Sequence, residues 1–449
     1  MKRITVPEHG RIPRSAIDGR LLRRLQSADE RLSSESGGPV FDWDHVHYVA
    51  ATNYVGVVQV PGLTVEILPK IDTATEDTGR PFEPGDARQV KAQANLLYML
   101  SFARKLPARP RDLAQLRLQR LPLLEAMIAI FAGRLVAELR KGVDHGYVHF
   151  EENGAYLRGK LLVSQQVRHN AAHRERFFTA FDEFVPDTWL NRILKAACWK
   201  LTGSATATST QQLLREALLC FVDVEKHVIR PDHFQRVHLH RNTERFSSLL
   251  DFARLVLTDA APAPSPGKLG TFSLLFPMET LFEEFIAGFL CRYAREFGLQ
   301  RGQIHAQAAR RRRWLLRTPE GAPRFRLKPD IVIDDDSGQV RLVLDTKWKR
   351  LRTDAEDSRN GVSQADLYQL YAYAHRYDSA DNVLLYPRVE GVSPKTYYLE
   401  GEGDRKLRVA FVDLNRDLQR DRRAFSGELR QIVLGHAEKA AAPGAVSSA

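Results

Sequence analysis

Apolar and polar positions alternate along Val55-Gly-Val-Val-Gln-Val60 and Leu63-Thr-Val-Glu-Ile-Leu68, which is the period of a β-strand. Pro61-Gly62 between them is turn chemistry, and Val46-His-Tyr-Val49 is a third strand-like piece. Residues 1–72 therefore read as mainly β. Residues 73–88, rich in Thr, Asp, Gly and Pro, read as an exposed loop. The period then lengthens. Ala94–Leu106 and Leu113–Arg140 carry apolar residues three and four apart, the spacing of amphipathic helices. A β-like piece interrupts them, Gly146–Phe150 and Ala155–Leu157 about a turn at Glu151–Gly154. Helical spacing resumes at Thr188–Leu201 and Gln211–Val222.

Ala260-Ala-Pro-Ala-Pro-Ser-Pro-Gly267 is the clearest break in the chain. Beyond it, Met278–Phe297 predicts a helix with an apolar stripe through Met278, Leu281, Phe282, Phe285, Ile286, Phe289 and Leu290. Glu283 and Glu279 border that stripe, and Glu284 points away from it. A second helix, Asp366–Arg376, sets Gln369 and Tyr373 one turn apart on one face. The division that follows is 1–90, mainly β; 91–262, mainly helical; 263–436, mixed α/β; and a low-complexity tail, 437–449, expected to be disordered.

The segment from Lys328 to Lys349 holds the chemistry. Ile331 and Ile333, then Leu342 and Leu344, mark two strands around Asp336-Ser337-Gly338. A turn centred near Ser337 sets Asp330 opposite Asp345. Side chains alternate along a strand, so Lys347 shares their face. Two carboxylates and an ammonium meet at one point. That trio suits phosphodiester hydrolysis, because Mg²⁺ binds through one or two carboxylates and completes its shell with water and phosphate oxygens. Surface hairpins also carry Asp at strand ends, but strand interiors are depleted in Asp, which weighs against that reading.

Composition narrows the class. Of 449 residues, 43% are hydrophobic and 27% charged, an ordinary globular balance too long for one core. No run approaches the ~18 apolar residues of a membrane span, and the N-terminus lacks a signal core, so a cytoplasmic location is expected. Cys198, Cys220 and Cys291 lack metal spacing and read as reduced core residues. A net charge of +11 fits a polyanionic partner. Arg310-Arg311-Arg312-Arg313 before Trp314 is a basic run that can line a nucleic-acid groove or stand solvated.

Pro329-Asp330 followed by Asp345-Thr346-Lys347 resembles the PD-(D/E)xK nuclease motif. Its surroundings resemble one branch, the McrC family, the nuclease subunit of McrBC-type modification-dependent restriction systems. Asn53–Val58 running to Glu66–Lys70 is similar to that family's N-terminal signature. Leu157-Arg158-Gly159 and Asp187-Thr188 through Asn191-Arg192 resemble its middle. Phe276–Glu283 and Asp366–Tyr373 resemble the flanks of its nuclease core. The resemblance implies a multidomain α+β fold with a C-terminal α/β nuclease domain on a mixed central sheet. It implies Mg²⁺ held by Asp330 and Asp345, with Glu283 assisting (Glu279 in reserve) and the Thr346 carbonyl completing the shell. Lys347 would act on the attacking water or the transition state, and Gln369 and Tyr373 would contact the DNA backbone. No Gly-x-x-x-x-Gly-Lys-Ser/Thr occurs, so nucleotide binding would belong to a partner, an McrB-like AAA+ GTPase hexamer. The N-terminal β region would enter that ring and stimulate GTP hydrolysis, with Lys70 and Arg14 as candidate cations. The substrate implied is double-stranded methylated DNA.

Two other readings remain open on the sequence. One is a regulatory or tethering subunit that binds DNA without cutting; intact Asp330, Asp345 and Lys347 speak against it. The other is a stand-alone RecB-like repair nuclease, against which the N-terminal signature speaks.

Overall fold

A computed structural model describes residues 2–36, 38–71, 79–83, 85–259, 271–309, 311–351, 361–401 and 404–435. The expected break at Ala260–Gly267, the tail at 437–449 and residues 73–78 and 84 of the expected loop lie outside the described residues. Contacts divide the multidomain α+β chain into two units, Met1–Ala103 with Leu275–Ala449, and Arg104–Leu274.

The first unit opens with a four-stranded sheet of β1 (Lys2–Pro7), β2 (Tyr54–Val60), β3 (Leu63–Leu68) and β4 (Phe272–Pro277), ordered β1-β3-β2-β4. The alternation of β2 and β3 produces the expected hairpin, Val60 facing Leu63 and Gly62 at φ +93°. The region is less β-rich than its sequence suggested. A helix, α1 (Gly19–Ser36), buries Leu25, Ala28 and Leu32 against the sheet's core. Its apolar stripe is one residue wide per turn, and the arginines and acids around it hide the period.

The next helix, α2 (Ala87–Phe102), starts earlier than expected, where Asp86 caps it by accepting the Arg88 N–H at 2.8 Å. It packs on α3 (Met278–Arg292), with Phe102 5.3 Å from the Phe289 ring and Tyr98 6.2 Å from Phe285. A Cβ at Gly288 would stand 2.4 Å from the Phe102 carbonyl oxygen, so this crossing requires glycine. This contact is why the N-terminal segment shares a unit with the C-terminal one. A division at 90 and 262 separates segments that the packing joins.

A six-stranded mixed sheet follows. Its strands are β5 (Ile304–Ala306), β8 (Ile331–Asp334), β9 (Val340–Thr346), β10 (Asp381–Pro387), β11 (Lys395–Tyr398) and β12 (Lys406–Val412), ordered β5-β8-β9-β10-β12-β11. Between β5 and β8 in sequence, β6 (Arg313–Arg317) and β7 (Pro323–Leu327) form a two-stranded sheet of their own. β9 and β10 run parallel, which requires a crossover, and α4 (Gln364–Tyr377) supplies it. Leu370, Tyr373 and Ala374 of α4 pack on Val332 and Val343. The last helix, α5 (Arg422–Leu434), stacks Phe425 on Phe285 at 5.6 Å.

In the second unit, the expected helix Leu113–Arg140 is two, Pro110–Gln119 and Leu123–Leu139, broken before Pro122. The strand Gly146–Gly154 runs through the expected turn and pairs with Phe177–Val185 instead of Ala155–Leu157. Gly159, at φ +64°, lies against that second strand, where a Cβ would meet the Ala180 carbonyl oxygen at 2.5 Å. Thr188 caps the helix Trp189–Thr202, and Asp187 pairs with Arg192. Cys198 is buried as expected, but Cys220 is exposed and Cys291 intermediate. Among the described residues no helix is long and apolar enough to cross a membrane.

Candidate active site at the end of the mixed sheet

The β8–β9 hairpin pairs Ile331 with Leu344, Val332 with Val343 and Ile333 with Leu342, which carries Asp330 to the place facing Asp345. An irregularity lies between Ile333 and Asp334, on the turn side, so it leaves the motif end in register. Asp335 makes the turn, its Oδ1 accepting the N–H groups of Ser337 and Gln339 at 2.9 Å each. Both faces of the hairpin are buried: Ile331, Ile333 and Leu344 are fully covered, and so are Val332 and Val343.

Asp330 Oδ2 accepts two hydrogen bonds from Thr346, the backbone N–H at 2.7 Å and the hydroxyl at 2.6 Å. Thr346 therefore spends its amide and side chain on Asp330. Asp345 is 2% exposed, and its Oδ2 lies 2.6 Å from the Lys347 ammonium. Lys347 donates onward to Gln369 Oε1 at 3.0 Å, and Gln369 Nε2 donates to the Tyr373 hydroxyl at 2.7 Å. The i, i+4 pair on α4 thus meets the lysine. Both were expected at the DNA backbone, but Tyr373 is buried and its hydroxyl is engaged by Gln369.

Burial and the neighbouring charge of Glu283 raise the Asp330 carboxyl above the usual range. Burial and the charge of Asp330 do the same to Asp345. Burial works to lower the Lys347 pKa, but Asp345, Asp366 and Asp330 outweigh it and keep the ammonium charged. Glu283 is half-buried and raised by desolvation, with a bond to the Gln307 side chain acting against it. Glu279 is exposed, so Glu283 is the helix carboxylate that faces the cluster.

Gln307 was not legible in the sequence. It adopts φ +50°, its N–H donates to the Asp330 carbonyl at 2.6 Å, and its side chain reaches Glu283. Glu8 was missed as well. Its buried carboxylate accepts the Trp348 indole N–H at 2.9 and 3.0 Å and the Lys70 N–H at 3.0 Å. Burial pushes Glu8 up to about 7. Trp348 in turn packs edge-to-face with Phe282, the neighbour of Glu283, their ring centroids 5.3 Å apart. Arg311 of the basic run is structural, pairing with buried Asp334 at 2.6 Å while His305 takes the same oxygen at 2.7 Å. Arg310 lies outside the described residues. Arg14 donates to the Trp43 carbonyl at 2.9 Å.

The cluster sets the carboxylates of Asp330, Asp345 and Glu283 against one ammonium, an excess of negative charge that a divalent cation would offset. All donors are hard oxygens, the set that Mg²⁺ favours. Among the described residues no three His, Cys, Asp or Glu side chains surround one point as a finished metal cage. Two carboxylates are the protein complement that an ion keeping much of its hydration would use.

The profile of the family described as McrBC 5-methylcytosine restriction system component matches residues 49–387. Among curated proteins, the type IV methyl-directed restriction enzyme EcoKMcrBC of Escherichia coli (strain K12) is 21% identical over 325 residues, 68% of this chain and 89% of that protein. Two solved structures from Thermococcus gammatolerans share the fold. One is a half-complex from a tetradecameric assembly of McrB AAA+ hexamers with bound McrC, with a TM-score of 0.64 at 23% identity over 94% of this chain and 100% of the other. The other is a cryo-EM structure of the McrBC complex, with a TM-score of 0.53 at 25% identity over 65% and 88%.

Proposed function

The chain belongs to the McrBC 5-methylcytosine restriction system component family, and on that premise we propose that it is the McrC-like subunit, a Mg²⁺-dependent endonuclease of the PD-(D/E)xK kind. The carrying observation is the Asp345–Lys347–Gln369 line, with Asp330 held facing it by Thr346. Asp330 and Asp345 would hold the ion together with the Thr346 carbonyl, with Glu283 assisting. Mg²⁺, when bound, supplies a more acidic water and neutralises charge at the phosphate. Lys347 stays protonated beside Asp345, and Gln369 Oε1 fixes its direction, so it stabilises negative charge growing on phosphate oxygens. Tyr373 holds the Gln369 amide in the orientation this needs.

The partner in this reading is an McrB-like AAA+ GTPase hexamer whose turnover the chain stimulates, and the substrate is double-stranded methylated DNA. The only stretch that approaches a phosphate-binding loop, Gly154 to Lys160, ends in a β-ladder where Lys160 faces Ala180, which favours a nucleotide site on the partner. The test is digestion by the purified chain with its AAA+ partner, GTP and Mg²⁺. Cutting of DNA carrying 5-methylcytosine and sparing of unmethylated DNA is expected. A complex that hydrolyses GTP but leaves both DNAs intact would refute the nuclease role.

A further inference from the structure

Six cations gather on β6, β7 and their ends: Arg312, Arg313, Arg317, Arg324, Arg326 and Lys328, all exposed, with Glu320 in the turn as the one acid. Among the described residues none of the six forms an ion pair with a carboxylate. The strands pair Arg313 with Leu327, Trp314 with Arg326 and Leu316 with Arg324, so positive charge stands on both faces of the ribbon. Leu316 is 54% exposed, and Phe325 is 71% exposed at φ +54°. A free ribbon with one sign of charge and uncovered apolar side chains repels itself and wets its own Phe, so it is built to be covered.

Its position says by what. β7 runs through Lys328-Pro329 directly into Asp330, and the Arg376 guanidinium of α4 holds β6 by donating to the Trp314 carbonyl at 2.9 Å. The same helix carries Gln369 and Tyr373. A two-stranded ribbon is an element that the major groove of a duplex admits, and its flanking phosphates complement arginines on both faces. We propose that the β6–β7 ribbon is a sequence-independent DNA-binding arm that lies along the duplex and sets the scissile phosphate at Asp330 and Asp345. This rests on the nuclease reading above for the identity of the polyanion.

The test measures binding and is independent of cutting. The full-length chain in EDTA is titrated against a fluorescent unmethylated duplex over a range of salt concentrations. Arg317→Ala/Arg324→Ala/Arg326→Ala is expected to weaken binding at least about tenfold at low salt. It should also flatten the plot of log affinity against log salt by about two to three units, near 0.9 per lost phosphate contact. The corresponding triple Lys variant should restore most of both. Unchanged affinity and slope would overturn the arm, and so would normal DNA binding with weakened binding of the AAA+ partner, which would make the ribbon a protein contact. A wild type that binds DNA through these arginines yet never cuts would refute the nuclease role and leave the arm standing.

Discussion

Asp330 takes both the N–H and the hydroxyl of Thr346 on one carboxylate oxygen, at 2.7 and 2.6 Å. The strand that supplies Asp345 and Lys347 thereby clamps the acid on the opposing strand. Two bonds to one oxygen fix the orientation of the carboxylate. Thr346→Val keeps the amide bond and loses the hydroxyl. We expect it to lower Mg²⁺ affinity and cleavage about 10- to 100-fold, the usual cost of removing a partner behind a metal ligand. Thr346→Ser should stay within a few fold. Metal titrations of cleavage rate check this, and a Val variant with unaltered Mg²⁺ dependence would show that the clamp is idle.

Glu8 hydrogen-bonds Trp348, the residue after Lys347, and so ties the end of the N-terminal sheet to the end of the mixed sheet. The Glu8 pKa rises from 4.5 unfolded to about 7 folded, chiefly by burial. The folded state therefore binds the proton more tightly, and stability from this group falls as pH rises through that window. Glu8→Gln keeps an acceptor for the indole and cannot ionise. Its melting temperature relative to wild type should climb between pH 5 and pH 8, while Glu8→Ala loses stability at both. Parallel wild-type and Gln curves across that range would show that Glu8 does not titrate as described.

Gln369 fixes the Lys347 ammonium and Tyr373 fixes Gln369. Gln369→Ala should lower the cleavage rate about tenfold or more at saturating DNA, because it frees the cation that meets developing charge. Its effect on DNA affinity should be small. Tyr373→Phe, one bond further away, should cost no more than about threefold. A Gln369 variant that loses DNA binding but keeps its maximal rate would return the residue to the DNA backbone.

The hairpin was legible because its physics is local. Alternating Ile331, Ile333, Leu342 and Leu344 fix the faces, the turn residues fix the register, and the two acids follow. The pairing of Gln369 with Tyr373 was legible for the same reason, since helical spacing alone brings them together. Glu8 was not legible, because its partner lies 340 residues away and no local pattern reports a long-range bond. Gln307 was hidden by its left-handed backbone, a conformation the flanking sequence does not announce. Arg311 looked like its neighbours in the basic run, and only the fold shows that Asp334 consumes it. The helix α1 was missed because a narrow apolar stripe among charges resembles loop.

Cleavage and GTP turnover measured together for Asp345→Asn, in the complex with the AAA+ partner on methylated DNA, separate chemistry from assembly. Asn removes one of two adjacent buried charges, so the variant should be at least as stable as wild type in the absence of metal. Its cleavage should fall about 10²- to 10³-fold or further, with partner GTP hydrolysis within about twofold of wild type. Cleavage at the wild-type rate by a folded, complex-forming Asp345→Asn protein would contradict the site assigned to Asp330, Asp345 and Lys347.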